Sequence, residues 1–298
     1  MKKLIFLFFT FLSISCFGKQ DAELIIPAAP GGISDVAARV LLKHINDENF
    51  KFVLDYKPGA GTLLAINHTA SNKNGTSILI ITNSIATLPF LPDTSASYDL
   101  VRDFILVDYI GSEPLIILTK NDGKINSFTE LINRSTVEFL PYGTAGFGTT
   151  QHTIMSLIAN KNSNFVNVPY KGESHVLTAL LTGEIKFSAL SIPISKSLIA
   201  EEKLKPLAVF SNNRLKEYPN IPTIKELGIN DRQFQRYLIL VANKNADQKI
   251  INHIRTKMNN QDLKKELINL GFDITKPNLN NFFLNELSKM KNIIKDYN

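Results

Sequence analysis

Short apolar runs separated by amphipathic stretches of helix length repeat along most of this chain. The run at 23–28 predicts a first strand. The stretch at 34–46 then sets Val36, Ala37, Val40, Leu41 and Ile45 at helical spacing. A second strand is expected at 50–56, followed by the turn Lys57-Pro58-Gly59-Ala60-Gly61-Thr62 and a short helix. Residues 78–82 are nearly all apolar, the pattern of a strand buried on both faces, and they end at Asn83 and Ser84. Two further runs, 104–110 and 115–119, read as strands that pass between two lobes.

A second series follows. A helix is predicted at 128–133, a strand at 137–142, a Gly-rich turn at 143–152 and a helix after it. Strands at 165–170, 185–190 and 204–211 alternate with helices at 174–181 and from Pro193, and a strand at 237–242 is expected to rejoin the first lobe. Near the end, Phe283, Leu287, Met290, Ile294 and Tyr297 repeat at helical spacing, as a core-packing stripe does. This order predicts an α/β fold of two lobes, each a central, mainly parallel sheet flanked by helices. Residues 19–118 with 236–298 would form one lobe and 119–235 the other, with ligand sites at the strand ends.

Length and charge narrow the picture. A chain of 298 residues is long enough for two cores. Residues 1–18 carry a Lys pair, an apolar run and then small residues, the layout of a secretory signal peptide too short to span a membrane. No later segment has the uninterrupted apolar length of a spanning helix, so the mature chain is expected to be soluble. Removing Lys2 and Lys3 takes the formal net charge from +6 to +4. That scattered excess suits anionic solutes but is no nucleic-acid footprint. Cys16, the single cysteine, lies at the signal junction. It offers a lipid attachment point, but Ser13 stands where a lipobox has an aliphatic residue, so cleavage without lipid is the expectation. No disulfide can form within the mature chain.

Two turns draw attention as chemistry. The first, Pro27-Ala28-Ala29-Pro30-Gly31-Gly32-Ile33-Ser34-Asp35, carries a strand into a helix. Its glycines allow close backbone approach, and a helix start offers free N–H groups and a positive dipole end to an anion. Taken alone, it is equally an ordinary strand–turn–helix joint. The second turn, Gly143 through Gly146, Gly148, Thr149 and His152, is of the same kind. If both face one cleft, two helix ends hold a carboxylate without a buried arginine, helped by the hydroxyls of Ser34, Ser84, Thr144 and Thr149. The spacing Gly143, Gly146, Gly148 is not that of a dinucleotide site, and Gly172-Glu173-Ser174-His175 lacks the second glycine of a nucleophile elbow. The histidines show no metal-ligand spacing, and Asp35 reads as a helix cap rather than an acid catalyst. Neither a cofactor nor a metal is expected, and no nucleophile, base and oxyanion donor come together.

These residues resemble the periplasmic substrate-binding proteins of tripartite tricarboxylate transporters, the Bug receptors. The matching pieces run in order: Pro30-Gly31-Gly32-Ile33-Ser34-Asp35, Pro58-Gly59-Ala60-Gly61, Asp103-Phe104, Tyr142-Gly143 through His152, Val168-Pro169-Tyr170-Lys171-Gly172, and Pro219-Asn220-Ile221-Pro222-Thr223. The resemblance implies a type 2 periplasmic-binding-protein fold that closes around a small organic carboxylate. It implies a monomeric, periplasmic receptor, not an enzyme, that hands its ligand to transporter membrane subunits. A sensory adaptor serving a sensor kinase and an exported enzyme acting on a carboxylate are the rivals. Carried over residue by residue, ligand contacts fall on Ala28, Ala29, Gly31, Gly32 and Asp35, on Thr144, Gly148 and Thr149, and on Ser84. Three departures stand out: Ala28 where the family has an aromatic wall, Thr62 where it has glycine, and Leu190 where it has an Asp. The last removes an acidic partner for a ligand ammonium and favours a plain, bulkier carboxylate.

Overall fold

The computed structural model describes residues 19–92, 94–159, 164–211, 213–229 and 235–295. The expected signal peptide, Cys16 and Tyr297 lie outside them. Ten strands form two five-stranded sheets. The first contains β1 (Gln20–Ile26), β2 (Phe50–Tyr56), β3 (Ser77–Thr82), β4 (Phe104–Glu113) and β10 (Arg236–Asn243), in the order β2-β1-β3-β10-β4. The second contains β5 (Leu115–Lys120), β6 (Leu140–Thr144), β7 (Phe165–Pro169), β8 (Phe187–Ser191) and β9 (Leu204–Phe210), in the order β7-β6-β8-β5-β9.

Each sheet has one strand that runs against its neighbours. β10 pairs antiparallel with both β3 and β4, while β1 pairs parallel with β2 and β3. β5 pairs antiparallel with both β8 and β9, while β6 runs parallel to β7 and β8. The remaining four strands of each sheet point one way, so both sheets are mainly parallel. The chain passes from the first sheet to the second at Pro114, between Glu113 and Leu115. The expected division between residues 118 and 119 therefore falls inside β5, whose pairing with β8 and β9 already begins at Leu115.

Alternation along the strands sorts side chains into cores. On β1 and β3, Leu24, Ile26, Ile78 and Ile80 face the helices Ile33–Ile45 and Gln248–Lys257, while Ile25, Leu79 and Ile81 face the opposite core. The second sheet packs Ile116, Leu118 and Leu190 against Val176 and Leu180 of helix Glu173–Thr182. Phe283, Leu287, Met290 and Ile293 of the last helix, Phe282–Ile294, lean on the core that holds Ile25. No helix among the described residues is long and apolar enough to cross a membrane.

Two local differences from the sequence pattern have physical causes. β6 starts at Leu140 rather than 137, because Val137 and Glu138 donate their N–H groups to Arg134 O and finish the preceding helix. Val137 is consequently 84% exposed and Phe139 74%. Leu190, expected to face the cleft, is fully buried in the helix-covered core, paired with Ile116. Its neighbour Ser191 is the residue turned towards the interlobe region.

Candidate functional site

The first turn links β1 to helix Ile33–Ile45. Gly31 has φ +87°, a left-handed conformation that glycine adopts freely. Its N–H donates to Asp35 Oδ2 at 2.8 Å, and Asp35 also accepts from Tyr56 OH at 2.5 Å and Arg39 Nε at 3.1 Å. Burial pushes the Asp35 carboxyl up, but the bonds from Tyr56, Gly31 and Arg39 outweigh it and hold the group below its ordinary value. Asp35 thus braces the turn as an ionised acceptor.

The second turn joins β6 to helix Thr150–Ala159. Gly146 and Gly148 have φ of +116° and +79°. Thr149 caps the helix, its Oγ1 accepting from His152 N at 3.2 Å and donating to Gly146 O at 2.8 Å. Gln151 folds back so that Oε1 accepts from Ala145 N at 2.6 Å, while Nε2 donates to Ser188 Oγ at 3.0 Å. His152 is not at the surface: it is buried with its ring 4.6 Å from that of Phe147, and burial lowers it to about 4, so the imidazole is neutral.

The two turns face each other across a closed cleft. Ala29 N donates to Lys171 O at 3.2 Å, Ser174 Oγ to Pro30 O at 2.9 Å, and Thr150 Oγ1 to Thr82 Oγ1 at 3.0 Å. Between them lies an inner cavity of about 50 Å³, walled by Ala28, Gly32, Ser34, Thr62, Thr82, Ala145, Thr149, Thr150, Gln151, Glu173 and Arg236. It shares Pro27, Thr62 and Ala145 with an outer cavity of about 580 Å³. Leu63, Leu88, Phe147, Tyr170 and Lys171 line that larger space.

The structure places the expected ligand residues in three groups. Ala28, Gly32 and Thr149 line the inner cavity. Ser84 lies just beneath it, fully buried, accepting from the hydroxyls of Thr62 and Thr82 at 3.2 Å each. Ala29, Gly31, Asp35, Thr144 and Gly148 sit behind the walls. Thr144 Oγ1 donates to Asn167 Oδ1 at 2.9 Å, and a Cβ at Gly148 would lie 2.3 Å from Leu88 Cδ2. Several backbone donors assigned to a ligand already have partners within the chain: Ala29 and Gly31 as above, and Gly148 on His152 Nδ1 at 3.4 Å; the neighbouring Ala145 N is likewise taken by Gln151. Thr62 holds φ +86°, a conformation that costs a side chain about 1–3 kcal/mol, which explains why glycine is the easier residue there.

Sequence reasoning missed the charged wall. Contrary to the expectation of a site without a buried arginine, Arg236 is only 3% exposed and lines the inner cavity. Its Nε donates to Glu113 Oε1 at 2.8 Å, with a second, shorter contact from Nη2, and Nη1 donates to Glu173 Oε1 at 2.8 Å. Burial works against the Arg236 charge, but the two carboxylates reverse that and raise its pKa. Burial, and then the charge of Glu173, push Glu113 up to about 7 despite Arg236. Its Oε2 has no hydrogen-bond partner among the described residues. Outside the cleft, Glu23, Asp55 and His68 bring ligand atoms within 4.8 Å of one another, a grouping hidden from spacing because it spans three elements. Asp55 is paired there with Lys57 at 2.8 Å, and Glu23 accepts from Ser77 Oγ at 2.7 Å.

The model of the tripartite tricarboxylate transporter family receptor matches residues 38–298, beginning just beyond the first turn. Protein BugT of Bordetella pertussis is 27% identical over 248 residues, covering 80% of this chain and 76% of BugT. The solved periplasmic binding protein BugD superposes with a TM-score of 0.84 at 20% identity, covering 93% of this chain and 97% of BugD. MatC from Rhodopseudomonas palustris, solved with bound malate, superposes with a TM-score of 0.83 at 20% identity, covering 92% of this chain and 98% of MatC.

Proposed function

This chain belongs to the tripartite tricarboxylate transporter receptor family, and from that premise we propose that it captures a small organic carboxylate between its lobes and delivers it to transporter membrane subunits. One observation carries the reading: a chamber of about 50 Å³, walled by two helix starts from opposite lobes and a buried Arg236, shares wall residues with a space of about 580 Å³. The chamber suits a single carboxylate, held by Ser34, the helix ends and Arg236. The outer space takes the rest of the molecule against Leu88, Phe147 and Tyr170, with Lys171 available to a second acidic group. Ala28, a small residue on the wall of the inner chamber, is consistent with a bulky acid.

The malate bound to MatC agrees with this class of ligand, though it belongs to that protein. The reading places the receptor in the periplasm as a monomer, with hinge closure as its working step and no covalent chemistry. Asp35 and His152, the acid and base that an enzyme would need, do not line the inner chamber.

Titration calorimetry with mono-, di- and tricarboxylates tests the proposal, and turnover of a bound acid by the purified protein would overturn it. Gly32→Val is expected to weaken the best ligand by about five- to hundredfold, since overpacking a filled site costs roughly 1–3 kcal/mol. The fold should persist: Gly32 has φ −84°, and an added Cβ meets nothing closer than 3.9 Å. Unchanged affinity would remove the first turn from the site.

A further inference from the structure

Glu173 has the surroundings of a bound acid. It is the first residue of helix Glu173–Thr182, and its side chain crosses from the second sheet's side of the cleft to the first. Oε2 accepts from Ile33 N at 3.4 Å, at the start of a helix whose N-cap Gly32 supplies no side-chain cap. Oε1 accepts from Arg236 Nη1 at 2.8 Å, and Ser191 Oγ donates to both oxygens at 3.1 and 2.9 Å. A helix N-terminus, a guanidinium and a hydroxyl around one carboxylate form the donor set of an anion site. Glu173 is 4% exposed and forms part of the inner cavity wall.

Charge makes this residue redundant as a structural partner. Arg236 already has Glu113, in register with it on the adjoining strand and bonded through Nε. Glu173 is a second carboxylate on one guanidinium, so Arg236 cannot balance the charge of both acids in this buried place. The ligand's acid group and Glu173 want the same donors.

Resting on the carboxylate reading above, we propose that Glu173 is a resident competitor that sets ligand affinity: an entering carboxylate takes over its bonds to Arg236 and the Ile33 N–H. Binding is then an exchange of one acid for another, and its net gain is what remains after Glu173 is displaced. A ligand that only matches Glu173 gains little, while one that also fills the outer space gains more, so the uniform cost of displacing Glu173 sets a threshold that only the better-filling acids clear.

The test compares the parent with Glu173→Gln and Glu173→Asp by calorimetry, using acetate, malate, adipate and citrate as probes, with melting temperatures recorded for each protein. Glutamine keeps the shape but loses the charge-assisted bonds, so the best probe should bind about tenfold tighter, the difference between a charged and a neutral hydrogen bond. Aspartate keeps the charge but is one methylene shorter, and should fall between the two. Because every acid pays the same displacement cost, acetate and adipate should gain by similar factors in Glu173→Gln. Equal or weaker binding in Glu173→Gln, or failure of that variant to fold, would overturn the proposal by making Glu173 a structural or ligand-holding residue. If no probe binds the parent or either variant, the carboxylate reading itself falls, and this inference with it.

Discussion

Alanine at position 61 is expected to abolish tight ligand capture while leaving both halves of the molecule folded. Gly61 sits in the turn after β2 with φ +59°, and a Cβ built there would lie 1.5 Å from Phe147 O and 2.8 Å from Phe147 C. Those atoms are backbone on the far side of the cleft, so no rotamer change relieves the overlap. Locally, a left-handed alanine costs only about 1–2 kcal/mol. Closure costs far more, because the facing turn is braced through Gln151 and Thr149 and cannot recede. A penalty of about 3 kcal/mol on the closed state corresponds to roughly a hundredfold loss of affinity. Small-angle scattering should show a larger radius of gyration that ligand no longer reduces. Parent-like affinity would mean that binding does not need this degree of closure.

Arg236→Met is expected to produce the largest loss of stability. It removes the shared partner of two buried carboxylates, Glu113 at 0% and Glu173 at 4% exposure. Breaking a buried pair by deleting one member costs about 3–5 kcal/mol, a large share of the roughly 5–15 kcal/mol that holds a domain together. The loss should depend on pH with a definite sign. Without Arg236, Glu113 loses its favourable charge and its folded-state pKa rises further above the unfolded one. Groups raised in this way destabilise the fold once pH exceeds the unfolded value, so the deficit should be largest above pH 7 and shrink towards pH 5. Adding Glu113→Gln to Arg236→Met should restore part of the stability at pH 8. Urea unfolding at the two pH values measures both effects, and a deficit independent of pH would count against the argument.

Much of the architecture was legible because the signals were local. The apolar runs that became β2 and β3, and the helical stripe of Val40, Leu41 and Ile45, reflect burial that each segment carries in its own residues. The facing turns were legible as a pair, since two Gly-rich strand-to-helix turns of the same kind recur in the two series of elements, although either one alone reads as an ordinary joint. What could not be read was anything that depended on three distant segments meeting. Glu113, Glu173 and Arg236 are each unremarkable in their neighbourhoods, at a strand end, a helix start and a strand start. Only the antiparallel pairing of β4 with β10 and the contact of the helix start at Glu173 with Arg236 bring them together. Leu190 shows the sharper limit: side chains alternate along a strand, so a displacement of one residue exchanged the cleft face for the core face. The backbone donors of the turns posed a similar problem. Their freedom was inferred from helix geometry, whereas Asp35, Gln151 and His152 supply their partners.

The single reversed strand in each sheet has a consequence for how the protein is made. β5, the reversed strand of the second sheet, lies between β8 and β9 and is present before β6 to β9, so that sheet has all its strands once residue 210 has emerged. The first sheet is different. β10 lies between β3 and β4, and until residue 243 is available those strands have no common neighbour and the sheet is open at its middle. The portion of the chain that starts first therefore finishes last. A truncated chain ending at residue 211 should show protease resistance in its second sheet while β3 and β4 remain open to cleavage, and the final insertion of β10 is the step at which Arg236 meets Glu113.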